Sequence, residues 1–164
     1  MAICKSLKNN GIHKHGDGSI HRRVRLYKNW QEMWQRCNNP NNKKYKDYGA
    51  RGIKVCSQWK DYRVFKSWAL ENGYKNDLFI DRKNNNRNYT PKNCRWTTLK
   101  ENNRNKRNNR MITCFGETKC LAAWGDDSRC LVNWSTLQSR LNAGWGELRA
   151  ITTPVMRKYS LRST

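Results

Sequence analysis

The feature that most constrains this chain is its charge. Lys and Arg number 34 against 12 Asp and Glu, a formal +22 across 164 residues. Charge of one sign at this density repels itself in any compact state, and a polyanionic partner relieves it. Nucleic acid is the expected partner, because each phosphate neutralised by Lys or Arg releases condensed counterions. A membrane is not expected: no apolar run approaches the ~18 residues of a spanning helix, and no signal-peptide apolar region opens the chain. RNA-recognition motifs are missing, which leaves double-stranded DNA in front.

The length suits one ordinary domain or two small ones. At 36% hydrophobic residues a large core is out of reach, but eight Trp and seven Tyr supply much buried area per residue. Seven Cys, an odd number with no secretory pattern, point to reduced thiols in a cytoplasm. The 21 Asn, in runs such as Asn84-Asn85-Asn86, point to many turns and loops.

Along the chain, residues 1–25 read as a basic arm holding His13, His15 and His21. From Leu26, the residues Leu26, Trp30, Met33, Trp34 and Cys37 fall at helical spacing, and Asn38–Asn42 stops that helix. Gly49 and Gly52 flank Arg51 in a tight turn before an expected short strand, Ile53–Cys56. A second helix carries Tyr62, Phe65, Trp68 and Ala69 on its apolar face, with Gly73 as its C-cap. A strand over 78–81, an Asn-rich loop, a strand over 93–97 and polar helical sequence from Thr98 to about Arg107 follow. Strand, loop, strand, helix is the order of a ββα unit. A composition break at 107–110 reads as a linker, giving a core over 26–110, a second module over 111–153 and a basic tail over 154–164. In that module Met111–Phe115 reads as a strand, Gly116-Glu117 as a turn and Thr118 as the cap of a helix carrying Leu121, Ala122 and Trp124. A further helix runs from about Ser135 to Leu141. The fold class expected is α+β.

The stretch from Phe79 to Arg110 resembles the core of HNH (ββα-metal) endonucleases. In that family an Asp-His pair ends a strand, an Asn follows about a dozen residues later, and a His or Asn lies on the next helix. Asp81, Asn93 and Asn102 take those places here. The resemblance implies that Asp81 and a helix amide hold a divalent cation such as Mg²⁺, a hard ion served by oxygen ligands, beside a scissile phosphate. It implies that Asn93 fixes the loop through side-chain to backbone hydrogen bonds. Asn102 has the family's spacing; Asn105 and Glu101 are the alternative oxygen donors one turn away or adjacent.

The chain departs from that family at Arg82, which stands where the His that activates water is usual. With a pKa above ~12 an Arg is no base, so the expectation for it is a phosphate clamp. The longer pattern over about 15–153 is similar to a phage and prophage subfamily of homing type, whose members carry His-Gly ahead of the first helix. His15 is therefore the candidate base. Cys37, Cys56 and Cys94, with His15, form the conceivable Cys₃His zinc set, set against the reading of Cys as small core residues.

For DNA contact, residues 82–110 hold ten Lys or Arg and one acid, Glu101. Arg51, Arg87, Arg95, Lys100, Arg104, Lys106 and Arg107 are the candidates for the phosphate backbone. The 112–145 pattern resembles small helix-turn-helix modules appended to such nucleases, with Ser135, Thr136, Gln138, Ser139 and Arg140 as exposed residues able to read DNA. The expectation is a metal-dependent DNA endonuclease that nicks one strand or cuts both, nicking by a monomer being the simpler case; the alternative is a DNA-binding regulator that keeps the fold without the chemistry.

Overall fold

A computed structural model of the chain describes Asp17 and residues 24–155. They form an α+β protein of short helices and two two-stranded antiparallel sheets. The chain divides into two compact units between Asn102 and Asn103, inside a helix and ahead of the composition break at 107–110.

The first unit opens on α1 (Arg25–Asn38), whose apolar stripe buries Leu26, Tyr27, Trp30, Met33 and Cys37. Trp34 is only partly buried. One turn apart, the Trp30 and Trp34 indoles both donate to the Trp59 carbonyl, at 2.7 and 3.1 Å. The asparagines after the helix turn back on the chain: Asn38 Nδ2 donates to the Trp34 carbonyl, and Asn39 Oδ1 accepts from Asn41 N. Short 3₁₀ turns follow over 45–47 and 49–51. Gly49 is required there, since a Cβ would collide with the Cys37 carbonyl oxygen and the Tyr45 ring. The expected strand Ile53–Cys56 is reduced to a single parallel bridge, Val55 to Tyr89.

α2 (Tyr62–Glu71) is capped by Asp61, whose Oδ1 accepts from Arg63 N, and it buries Tyr62, Phe65, Trp68 and Ala69. It ends at left-handed Gly73, with Tyr74 N donating to the Ala69 carbonyl and Gly73 N to Leu70, the Schellman arrangement. β1 (Phe79–Arg82) pairs antiparallel with β2 (Cys94–Thr97), Asp81 opposite Arg95 and Arg82 opposite Cys94. α3 (Leu99–Arg104) follows, shorter than the sequence suggests. Thr98 starts it, its Oγ1 accepting from Glu101 N. Trp59, Phe65 and Met33 are fully buried at the centre of this unit's core.

In the second unit β3 (Met111–Cys114) and β4 (Glu117–Cys120) form a hairpin. Its turn residues Phe115 and Gly116 both have positive φ, 50° and 74°, the backbone of a type I′ turn. Thr118 is therefore mid-strand, its hydroxyl 2.9 Å from that of Thr113, and not a helix cap. α4 (Leu121–Trp124) follows Cys120 with no side-chain cap. α5 (Trp134–Asn142) is capped by Asn133, whose Oδ1 accepts from Thr136 N. The last helix, α6 (Glu147–Thr152), was not expected from the sequence. Ile112, Trp124, Leu137, Leu141, Ala150 and Ile151 make the core, and the Trp124 indole donates to the Ile112 carbonyl. α4 and α5 are joined by residues 125–133, a longer connection than the three- or four-residue turn of a helix-turn-helix.

Candidate metal and nucleic-acid site

Side chains alternate across a strand, and the β1–β2 hairpin uses both faces. Ile80 and Trp96 pack on the aromatic core and Cys94 is buried in it. Asp81 and Arg95 are cross-strand partners on the other face, with Phe79 and Thr97. Asp81 is 4% exposed, and Arg95 Nε donates to its Oδ2 at 3.0 Å. Thr97 Oγ1 donates to Glu101 Oε2, tying β2 to the first turn of α3.

The loop between the strands is organised by Asn93. Its Oδ1 accepts from Asn84 N at 3.0 Å, while its Nδ2 donates to the carbonyls of Asn84 and Asn88 at 3.1 and 2.9 Å. Its backbone bonds Lys83 and Thr90. One amide side chain thereby supplies partners to three backbone groups that no regular element satisfies.

Arg82 lies inside. It is 4% exposed; its guanidinium sits 4.9 and 4.8 Å from the stacked rings of Tyr48 and Tyr89, and Nη1 donates to the Arg87 carbonyl at 2.9 Å. Arg36 approaches the same two rings. So placed, Arg82 supports the loop from the core side. The expected phosphate clamp requires a head group open to solvent, and this one is buried.

The donors that a hard cation would use are all oxygens: the Asp81 carboxylate, and on or beside α3 Glu101, Asn102 and Asn105. That chemistry fits Mg²⁺, which uses one or two carboxylates and keeps several waters. Glu101 is exposed; Asn102 is half-buried on α3 and Asn105 follows its last helical residue. Among the described residues no three His, Cys, Asp or Glu cluster as a metal-holding group. His15 lies outside the described residues. Cys37 and Cys94 are buried and Cys56 half-buried, all within or against the first core. Burial pushes the Cys94 thiol up to about 12 and raises that of Cys37, so that without a metal both are neutral thiols that pack as small core residues.

The candidate DNA-contacting residues differ in exposure and in the partners that hold them. Arg87 is exposed, as are Lys100, Lys106 and Arg107. Arg51 is half-buried, donating to the Asp47 carbonyl and to Asn86 Oδ1. Arg104 pairs with Asp126. On α5, Ser135 is exposed and Thr136 and Gln138 are half-buried. Arg140 differs from the expectation of an exposed contact residue: it donates to the carbonyls of Ala150, Thr153 and Pro154 and stacks on Trp145 at 4.8 Å. It neutralises the orphan carbonyls at the end of α6.

Sequence reasoning did not single out Lys92, Asn86, Asn88 or Thr90. With Arg87 and Asn93 they line a cleft of about 550 Å³ on the hairpin loop. The available signal was a run of amides interleaved with cations between two strands.

Comparison with protein-family models, with curated proteins and with solved structures gave no match to this chain. No helix among the described residues is long and apolar enough to cross a membrane.

Proposed function

We propose that the chain is a metal-dependent DNA endonuclease with an HNH-like site, hydrolysing phosphodiester bonds. The observation that carries this reading is Asn93: its side chain knits the loop that joins the Asp81 strand to β2, and α3 follows directly. A loop fixed in this way holds reacting groups with little reorganisation. The net charge of +22 supplies the attraction for the substrate.

In this reading Asp81 and Asn102 would hold Mg²⁺, which when bound stabilises charge on the scissile phosphate. Arg95, 44% exposed in its side chain and paired with Asp81, orients that carboxylate. Arg82 holds the loop from beneath. His15 is the group assigned to take the proton from the attacking water, and α5 with Ser135, Thr136 and Gln138 is the second DNA-contacting element.

A second reading, a DNA-binding regulator without cleavage, is favoured by two features. Arg82 replaces the usual base and is buried, and Asp81 is engaged by Arg95. Supercoiled DNA incubated with Mg²⁺ or with EDTA separates the two. Nicking that needs Mg²⁺ and disappears in Asp81→Ala supports the nuclease; tight binding with intact DNA under every divalent cation supports the regulator.

A further inference from the structure

We infer that the cleft on the β1–β2 loop, lined by Asn86, Arg87, Asn88, Thr90, Lys92 and Asn93, is a phosphate-binding subsite that grips the DNA backbone beside the hairpin. The inference rests on the DNA-binding half of the proposed function and is independent of cleavage.

The fold uses up only part of the hydrogen-bonding capacity around this cleft. Asn86 Oδ1 accepts from Arg51 Nη2 at 2.7 Å, and Asn88 Oδ1 accepts from Lys54 N at 2.9 Å. Both partners are donors only, so the chemistry fixes the amide orientation: each carbonyl oxygen turns toward the protein and each NH₂ is left over among the described residues. Thr90 Oγ1 accepts from Asn93 N, which leaves its hydroxyl proton to give. Asn93 spends its whole amide on Asn84 and Asn88. Arg87 and Lys92 are exposed, and neither side chain meets a carboxylate among the described residues. None of the six lining residues is acidic.

What remains facing the cleft is therefore donors and positive charge. A ligand that is neutral or rich in donors would leave that set unmatched; a phosphodiester, with two anionic oxygens and no donor, matches it. The volume has room for the phosphate and sugar of about one nucleotide. The loop is also stiff: Asn93 ties it from within, Arg82 from beneath through the Arg87 carbonyl, and the Val55–Tyr89 bridge from the side. Donors held in place lose little freedom on binding.

The test is DNA binding by fluorescence anisotropy in EDTA, with a labelled duplex, across a salt series. The proteins compared are wild type, Arg87→Gln/Lys92→Gln, Asn88→Asp, and a control pair, Lys46→Gln/Lys60→Gln, which removes equal charge from exposed sites elsewhere on the first unit. The slope of log K against log salt is expected to shrink by about 0.9 for each phosphate no longer neutralised, hence by about two in the cleft pair, and by much less in the control. Asn88→Asp keeps an oxygen for Lys54 N but turns the outward donor into an acceptor, so its affinity should fall at least tenfold. Equal slopes for the cleft and control pairs, or an unchanged Asn88→Asp affinity with unchanged thermal unfolding, would overturn the subsite. A wild type that binds no duplex overturns both this inference and the proposed function; a wild type that binds but does not cut leaves the subsite standing.

Discussion

Buried Arg82 and exposed Arg87 are joined by one hydrogen bond, from the Arg82 guanidinium to the Arg87 carbonyl at 2.9 Å. The interior arginine thereby fixes the backbone that presents the surface one. It also lies within 5 Å of the Tyr48 and Tyr89 rings. Arg82→Ala removes the cation–π contacts and leaves a carbonyl without its donor, a loss of about 2–4 kcal/mol. Arg82→Lys keeps the charge without the planar fork and should recover less than half of it. Urea unfolding of both variants measures this. A loss below about 0.5 kcal/mol in Arg82→Ala would show that the loop does not depend on Arg82.

Asn93 makes a sharper case because its amide both donates and accepts. Asn93→Asp keeps the bond from Asn84 N but sets an anion against the Asn84 and Asn88 carbonyls, and Asn93→Ala loses all three bonds. Both should destabilise the first unit by about 1–3 kcal/mol. Amide exchange at Asn84 should speed up in Asn93→Ala more than in Asn93→Asp.

Arg140 is expected to act on stability and not on DNA binding. Arg140→Ala exposes the last carbonyls of α6 and removes a cation from Trp145, costing about 1–2 kcal/mol. The salt dependence of DNA affinity should stay at the wild-type slope, whereas a residue that neutralises a phosphate would lower it by about one when removed. Thermal unfolding and anisotropy on the same variant separate these outcomes.

These residues mark where the sequence was legible. The apolar stripes of α1 and α2 repeat at helical spacing, so Trp30, Met33, Phe65 and Trp68 identify their own faces. The order Asp81, Asn93, Asn102 on strand, loop end and helix was legible for the same reason: each is placed by local pattern. Strand β4 was not, because among Glu117, Thr118, Lys119 and Cys120 only Cys120 is buried, and a polar strand on one edge reads as a turn and cap. α6 was hidden by its brevity. Arg140 and Arg82 were misplaced for a shared reason. Their partners, the carbonyls at the end of α6 and the Tyr48–Tyr89 stack, lie outside the arginine's own helix or strand, and a charged residue is read as exposed until such a partner is known. The orientation of Asn86 and Asn88 was equally out of reach, being set by Arg51 and Lys54 across the loop.

The second unit carries a pH signature. Arg129, then Lys119, hold the Asp127 carboxyl well below the usual carboxylate range, with Nε and Nζ at 2.8 and 2.6 Å. A group whose pKa is lower folded than unfolded contributes stability above the unfolded value, near 4 for Asp, and loses it as pH falls through the folded one. Stability of the second unit should therefore decline below about pH 4. In Asp127→Asn it should be lower at pH 7 and flatter toward pH 2. Amide exchange at Ile112 and Leu137 against pH reads this out; parallel profiles for the two proteins would remove Asp127 from the account.

The central claim, that Asp81 serves a metal-dependent cleavage site, is tested most directly by single-turnover nicking of DNA with Mg²⁺ at saturating protein. Wild type and Asp81→Asn are to be compared at equal DNA occupancy, measured by anisotropy in EDTA. Asp81→Asn keeps an oxygen for Arg95 and the shape of the side chain while removing the carboxylate charge. Equal binding is expected, with cleavage reduced at least a hundredfold. Cleavage by Asp81→Asn at the wild-type rate, or a wild type that binds and never nicks, would contradict the claim.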